Sequence, residues 1–131
     1  MLSRRGFIGC GLCALAGFSA TDAGAQTSGL KRTILSRIDG PIPGYETIEA
    51  RIEAGAGAVI AKHTHFGIET TYVIEGSLEL EIAGQPSKTY GKGDAFQVPA
   101  GAVHGGKTGD APIVLSGVYV VEKGKPLATP A

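Results

Sequence analysis

The chain has 131 residues, with 12 basic and 12 acidic side chains and therefore no formal net charge. This length accommodates one compact domain rather than several. Because the charges are scattered singly, the sequence lacks the concentrated positive field that nucleic acid or an anionic membrane surface favours, and neither is an expected partner. With 21 glycines and 7 prolines among stretches rich in Val, Ile and Thr, the composition predicts an all-β fold of short strands joined by tight turns.

Residues 1–25 have the build of a signal peptide. Arg4 and Arg5 precede an apolar run over about residues 6–18, and the small residues Ala23-Gly24-Ala25 follow it. The run is shorter than the roughly 18 to 20 residues of a bilayer span, so we expect a cleaved peptide and no stable membrane anchor. The segment SRRGFIG resembles the twin-arginine export signal, which predicts a periplasmic or secreted protein.

Both cysteines, Cys10 and Cys13, lie inside this segment. A mature chain that begins at Gln26 would therefore contain no thiol and no disulfide. The competing interpretations are an uncleaved N-terminal helix and a lipid-anchored cysteine.

The residues that follow read as an arm, one barrel and a tail. Turn-forming residues over 26–44 predict an N-terminal arm or linker. Alternating apolar and polar residues predict half-buried strands over 45–54 and 77–83, and further strands are predicted over 58–65, 70–75, 87–90, 94–98 and 113–121. A closed or rolled sheet over residues 45–122 would hide the strand edges. The Pro- and Ala-rich tail, 123–131, is predicted to be disordered, and the alternatives are a tail that wraps the barrel or pairs across a dimer.

The phase of the strands predicts which side chains face inward. The inner set is Ile48, Ala50, Ile52, Val59, Ala61, Leu78, Leu80, Ile82, Phe96 and Val98, while Arg51 and Lys62 fall on the outer phase. The apolar run over 112–121 fits a strand buried on both faces. Two interpretations of it stay open, a strand central to one barrel and a strand whose outer face is a dimer contact.

The three histidines of the chain and one glutamate form the main candidate site. His63 and His65 are two residues apart and project to the same side of an extended strand. Gly67 would permit a sharp turn that returns Glu69 to the same point, and His104 comes from another strand. Singly, each residue is more often an ordinary surface, loop or core residue. Together, three imidazoles and one carboxylate are a common ligand set for iron, manganese, nickel, copper or zinc.

These segments resemble the two sequence motifs of the cupin superfamily. The first motif, G-x5-H-x-H-x3-E-x6-G, is matched at every fixed position by Gly57, His63, His65, Glu69 and Gly76. The second, G-x5-P-x-G-x2-H-x3-N, is matched by Gly93, Pro99, Gly101 and His104, with Thr108 in place of the asparagine. The resemblance covers residues 45–121, and the short separation of the motifs is similar to that of compact microbial cupins.

The resemblance implies a jelly-roll-like double-stranded β-helix barrel that forms a homodimer. One divalent transition metal ion would be held by His63, His65, Glu69 and His104. Thr108 does not replace a ligand of the family, so its presence affects only the local turn.

The fold does not select a function, because cupins include dioxygenases, isomerases, decarboxylases, lyases and binding modules. With no arginine or lysine predicted on an inner face, sugar phosphates and sugar acids are disfavoured, and a small neutral or aromatic ligand is expected. One hypothesis is an oxidoreductase resembling quercetinase-type dioxygenases, acting on a phenolic or enol compound with Glu69 as a catalytic base. The alternative is a non-catalytic binding or sensory module that carries a metal. Tyr72 is either a hydrogen-bond donor to the ligand or a core residue.

Overall fold

The computed structural model describes residues 27–131, and within this range all regular secondary structure is β-strand. The predicted signal peptide, residues 1–25, lies outside the described residues. In the part of the chain that is described, no helix has the length and apolar character needed to cross a membrane. The ten strands are β1 (Lys31–Asp39), β2 (Tyr45–Ala54), β3 (Val59–Thr64), β4 (Gly67–Glu75), β5 (Ser77–Ile82), β6 (Lys88–Gly91), β7 (Ala95–Val98), β8 (His104–Thr108), β9 (Ile113–Glu122) and β10 (Thr129–Pro130).

The strands form two antiparallel five-stranded sheets. The first sheet has the order β1-β2-β9-β4-β7 and the second has the order β10-β3-β8-β5-β6. Strand β9 is central in the first sheet and pairs with β2 in unbroken register, from Tyr45 opposite Glu122 to Ala54 opposite Ile113. From β2 to β5, consecutive strands lie in opposite sheets, whereas β1–β2 and β5–β6 each pair within one sheet. The all-β, double-stranded β-helix prediction is confirmed.

The inner faces of the two sheets share one hydrophobic core. The predicted alternation is confirmed in β2, β5 and β7, where eight predicted inner side chains are buried: Ile48, Ala50, Ile52, Leu78, Leu80, Ile82, Phe96 and Val98. Glu79 and Glu81, which lie between the buried residues of β5, are exposed. A period of two therefore fixes one apolar row per strand, and the two sheets pack these rows together.

Strand β3 departs from the predicted phase. The alternation predicts Val59 and Ala61 on the histidine face, but Val59 is 68% exposed and Ala61 is half-buried. The pairing of β3 with β8 shifts register between Ile60 and His63. An extra residue in one strand reverses the side-chain phase beyond it, and here the extra residue lies in β3. The buried side chain that precedes His63 in β3 is therefore Ile60 and not Ala61.

Both ends of the described chain also differ from the sequence prediction. The middle of the predicted arm is β1, which pairs antiparallel with β2 and has its own register shift between Ile34 and Ser36. The predicted disordered tail contains the buried Leu127 and ends in β10, which pairs with β3. The shift in β1 and the shortness of β10 leave little periodic signal in the sequence. The two ends therefore complete the sheets beside the predicted site.

The apolar run over 112–121 corresponds to β9. Its side chains alternate between buried and half-buried along the whole strand. The structure shows that this strand is central to one sheet, and a dimer contact at its outer face stays a prediction. Next to it, β4 presents Ile68, Tyr72 and Ile74 on the outer face, where all three are exposed.

Candidate metal centre

The structure brings the four predicted site residues together. His63 lies in β3, His65 directly follows it, Glu69 lies in β4 and His104 begins β8. In the second sheet His63 is opposite His104. All four side chains are buried, and one donor atom from each lies within 4.8 Å of the others. These four residues could hold a metal ion.

Backbone carbonyls determine which ring nitrogen of each histidine faces the centre. The Nδ1 atoms of His63 and His104 lie 2.8 Å and 2.9 Å from the carbonyl oxygens of Ala61 and Ala102. His65 Nδ1 lies against the carbonyl oxygen of Leu127. A carbonyl only accepts, so each Nδ1 carries a proton, and Nε2 is the nitrogen of each ring that can present a lone pair to the centre. This is the tautomer that metal ligation requires.

The atoms that face the centre lack donors of their own. Glu69 Oε2 lies 2.9 Å from His65 Nε2 and 3.3 Å from His104 Nε2. All three atoms are buried and none has a hydrogen-bond partner in the structure. Acceptors at these distances repel one another unless a cation lies between them. One proton relieves only one of the two contacts, whereas a single metal ion would satisfy all three atoms.

Glu69 is held in its ionised form. Its other oxygen, Oε1, accepts a hydrogen bond of 2.7 Å from the hydroxyl of Thr71. Burial alone would raise the pKa of Glu69. When the facing nitrogens of His104 and His65 carry protons, their hydrogen bonds and positive charge lower this pKa well below its usual value, and a metal ion in the same place would favour the carboxylate for the same electrostatic reason. The carboxylate therefore provides a negative charge at the centre without a proton competing for Oε2.

His63 is held in its neutral form. Burial is the main cause that lowers its pKa to about 4, against the opposing effect of the bond to the Ala61 carbonyl. An uncharged imidazole at neutral pH keeps its Nε2 lone pair available to a hydrogen-bond donor or a metal ion.

The buried Arg32 contradicts the expectation that no arginine faces inward. Its side chain, only 4% exposed, projects from β1 into the barrel. Nη2 donates to His63 Nε2 at 3.1 Å, Nε donates to the hydroxyl of Tyr119 at 3.0 Å, and Nη1 donates to the hydroxyl of Thr27 at 2.7 Å. Arg51 and Lys62 are exposed, as predicted. The expectation that sugar phosphates and sugar acids are disfavoured therefore rests on a premise that is wrong.

Tyr119, and not Tyr72, is the phenol beside the site. Tyr72 lies on the outer face of β4 and is 50% exposed, whereas Tyr119 is fully buried in β9 with its ring 4.9 Å from that of His65. Burial raises the pKa of Tyr119 above its usual value, so the phenol stays protonated. Its place in a continuous apolar run, at an inward position of the strand alternation, is the signal that identifies it.

A small cavity adjoins the centre. Its volume is about 30 Å³, and its polar lining consists of Arg32, His63, Glu69 and His104. The remaining lining is Leu30, Ile52, Ile60, Leu78, Leu80, Phe96, Gly105 and Leu115. A cavity that takes benzene measures about 150 Å³, so the cavity as it stands fits a group of a few atoms and not an aromatic ring.

Two residues of the motif segments have structural roles. Thr108 is buried, accepts a hydrogen bond from the Ala58 amide at 2.7 Å and donates to the Gly55 carbonyl at 2.6 Å, so the turn stays closed without an asparagine. Gly67 does not make the predicted sharp turn, because it is the first residue of β4, and its φ lies outside the left-handed region. A Cβ at Gly67 would lie 1.9 Å from the carbonyl oxygen of Val120, so the glycine permits a close approach of β4 and β9.

Comparison with known proteins agrees with this architecture. A family model described as "Cupin domain" matches residues 50–121, more than half of the chain. No curated protein matches the sequence. Among solved structures, an uncharacterized protein with a double-stranded β-helix domain from Klebsiella pneumoniae is 22% identical, with a TM-score of 0.65 and coverage of 86% of this chain and 94% of that chain.

Two further solved structures are enzymes. The polyketide cyclase RemF from Streptomyces resistomycificus is 23% identical, with a TM-score of 0.61 and coverage of 82% of this chain and 74% of that chain. A structure described as the DMSP lyases RdDddP and RnDddQII is 20% identical, with a TM-score of 0.60, and covers 65% of this chain. The present chain spans only 44% of that lyase chain. At these identities the likeness shows the fold alone.

Proposed function

Because the chain belongs to the cupin family, we propose that it is a mononuclear metal protein in which His63, His65, Glu69 and His104 hold one divalent transition metal ion. The main observation that supports this proposal concerns three buried atoms, Glu69 Oε2 and the Nε2 atoms of His65 and His104. These atoms face one another, and none has a hydrogen-bond partner. The donor set suits iron, manganese, nickel, copper or zinc. A bound ion would supply Lewis-acid activation of a substrate oxygen.

The proposed activity is that of an oxidoreductase similar to quercetinase-type dioxygenases, acting on a small enol or phenolic compound. The residues support this activity through their positions. Among the described residues, Glu69 is the only carboxylate that lines the cavity, so it is the candidate catalytic base. The apolar lining excludes water from the reacting atoms. The cavity volume of about 30 Å³ favours a small enol over a large flavonoid-like ring.

A non-catalytic binding or sensory module is the second candidate. The observation in its favour is that the described lining of the cavity contains no titratable groups besides the histidines, Glu69 and Arg32. Every one of them also has a role in holding a metal ion or a neighbouring side chain. Oxygen uptake in the presence of small enols distinguishes the two candidates, since only the first consumes oxygen.

Elemental analysis tests the metal proposal directly. The protein is expressed as the full chain without an affinity tag, beside a variant with His63→Ala and His104→Ala. We expect about one equivalent of metal per chain in the wild-type protein and little in the variant. A redox-active ion with exchangeable water favours the oxidoreductase, and tightly held zinc favours the binding module. A wild-type protein without bound metal would contradict the proposal.

We also propose that the protein is exported by its twin-arginine-type signal and acts as a homodimer. The support for the dimer is the outer face of the first sheet, where Ile38 is 70% exposed and Ile68 is 49% exposed. These two side chains lie in one cross-strand row through Thr47 and Val120. A row of this kind buries apolar area when two copies pack face to face.

Light scattering tests the dimer with a matched pair of variants. Ile68→Glu places a charge in the row and should yield a monomer. Val59→Glu changes an exposed residue of the other sheet and should leave the mass unchanged. A wild-type monomer at micromolar concentration would refute the dimer. Cell fractionation of the wild-type protein and an Arg4→Lys/Arg5→Lys variant tests export.

A further inference from the structure

The stretch that carries two of the four site residues, 62–66, is accompanied along its length by residues 125–131, which we call the closing segment. The closing segment runs antiparallel to this stretch, and each residue of 62–66 meets a partner in it in reverse order. The partners are Ala131, whose N–H donates to the Lys62 carbonyl at 3.1 Å, Pro130 opposite His63, Thr129 opposite Thr64, the Leu127 carbonyl against His65 Nδ1, and the Lys125 ammonium 5.0 Å from the Phe66 ring. Strand β10 of the closing segment thereby occupies the outer edge of β3 in the second sheet.

His65 depends on the closing segment for the hydrogen bond that orients its ring. His63 and His104 each donate from Nδ1 to the carbonyl of the residue two positions earlier, so their acceptors move with them. The acceptor of His65 Nδ1 is instead the Leu127 carbonyl, 62 positions away along the chain. A partner of this kind fixes the tautomer and the ring orientation of a ligating histidine. Of the three histidines, His65 is therefore the one whose orientation a distant segment controls.

Few interactions hold the closing segment in place. Leu127 and Ala128 are its buried apolar residues, and β10 is only two residues long. The buried hydroxyl of Thr129 has no hydrogen-bond partner among the described residues, which opposes docking. A short edge element of this kind opens locally at a lower free energy than the sheets that it covers. Its docking can therefore respond to events at His65.

The docked and open states of the closing segment differ in what they offer a metal ion. In the docked state the Leu127 carbonyl holds His65 so that Nε2 lies 2.9 Å from Glu69 Oε2. In the open state the ring loses this acceptor and can rotate away from the carboxylate. A metal ion consequently binds the docked state more tightly and shifts the population towards it. By linkage, the ion favours docking by the same factor by which docking favours the ion.

We propose that the closing segment is a positioning element of the metal centre, in which the Leu127 carbonyl orients His65 and in which metal binding and docking stabilise each other. This inference rests on the proposed metal site and adds the element that regulates its affinity. Leu127 is a positioning residue, because it acts on the ion only through His65. The metal-free protein should open the closing segment more often than the loaded protein does.

Hydrogen exchange of the full wild-type chain, with and without saturating zinc, measures docking. Zinc is chosen because it is redox-inert. The reporters are the backbone amides of 127–131, and the internal control is β6, the other edge strand of the same sheet, which pairs only with β5. We expect zinc to slow exchange in the closing segment by about 10- to 100-fold. Exchange in β6 should not change, because its local opening leaves His65 in place.

Zinc affinity, measured by competition with a chromophoric chelator, provides a second readout. Leu127→Asn places an uncharged polar side chain at a buried position, which disfavours docking without adding a charge near the ion. Leu35→Asn is the same change at an exposed position, and Ile113→Ala removes a buried side chain that does not line the cavity.

We expect Leu127→Asn to lower zinc affinity by about 10- to 100-fold, and this factor should match the slowing of exchange in the wild-type protein. Leu35→Asn should keep both the stability and the zinc affinity of the wild type. Ile113→Ala should lose stability and keep its zinc affinity. A purely structural role of the closing segment predicts instead that Ile113→Ala and Leu127→Asn lose zinc affinity alike.

Several results would overturn the inference. One is zinc that slows exchange equally in the closing segment and in β6, or in neither. Another is zinc affinity of Leu127→Asn equal to that of the wild type, or a loss of affinity shared by Ile113→Ala. If Leu127→Asn does not fold, exchange in the wild-type protein still decides the question. Wild-type protein that binds no zinc refutes the metal site itself, whereas zinc binding without an effect on the closing segment refutes only the coupling.

Discussion

The hydroxyl of Thr71 is expected to aim the Glu69 carboxylate, and Thr71→Val removes this hydroxyl while keeping the shape of the side chain. Thr71 is fully buried, and its Oγ1 donates to Glu69 Oε1 at 2.7 Å. With Oε1 held by this bond, Oε2 faces His65 and His104. No water replaces the lost donor at a position without solvent access, so the substitution leaves a buried carboxylate oxygen unsatisfied.

Two magnitudes follow from this geometry. A hydrogen bond to a charged group contributes about 1.5–3 kcal/mol, so the metal-free variant should unfold with a free energy lower by about that amount. Loss of a partner that orients a ligand typically weakens metal binding by about 10- to 100-fold. The metal affinity of Thr71→Val should fall within this range, because the carboxylate becomes free to rotate away from the two histidines.

Urea denaturation followed by circular dichroism measures the first effect, and zinc titration against a chromophoric chelator measures the second. Thr70→Val is the matched control, since Thr70 is the exposed neighbour whose hydroxyl contacts only Gln97, at 3.2 Å. The control should change the unfolding free energy by less than about 0.5 kcal/mol. Zinc affinity of Thr71→Val within twofold of wild type, or an equal loss in Thr70→Val, would refute the orienting role.

Three further substitutions test the surroundings of the site by urea denaturation. Tyr119→Phe removes the acceptor of Arg32 Nε and should lower the free energy of unfolding by about 1–3 kcal/mol. Tyr72→Phe, at an exposed position, should leave it almost unchanged. Equal losses in the two variants would contradict the buried contact. Gly67→Ala brings a Cβ within 1.9 Å of a backbone oxygen and should cost at least about 3 kcal/mol, whereas Gly55→Ala has open space and should be tolerated. Leu127→Ala should cost about 2–4 kcal/mol if the tail is docked, against little for the exposed Leu35→Ala, and a disordered tail would give no difference.

The strands and the convergence of the four site residues can be predicted from the sequence, because both depend on the spacing of residues along the chain. Spacing of two residues places His63 and His65 on one side, and the motif positions place Glu69 and His104 relative to them. Strand β2 is predicted to the residue, because its alternation is uninterrupted. Where a register shift interrupts the alternation, as between Ile60 and His63, the predicted phase is wrong.

The partners that complete the site could not be predicted in the same way. Arg32 contacts His63 from 31 positions away and Tyr119 from 87 positions away, and the Leu127 carbonyl reaches His65 across 62 positions. Periodicity identifies the face on which a residue lies and not the residue opposite it. Arg32 belongs to a strand with irregular alternation, and a backbone carbonyl has no sequence signature. For these reasons the predicted site lacks its permanent positive charge.

The positive charge of Arg32 and the small volume of the cavity limit the range of possible substrates more than the fold does. The space of about 30 Å³ that Arg32 lines is too small for a phenol ring. A ring can enter only if lining side chains move, and a movement of Arg32 would break its contacts with Tyr119, Thr27 and His63. A small enol or enolate fits the space without such a movement. Oxygen-uptake screens should therefore begin with small enols, and activity confined to large phenols would refute a cavity of this size in the working protein.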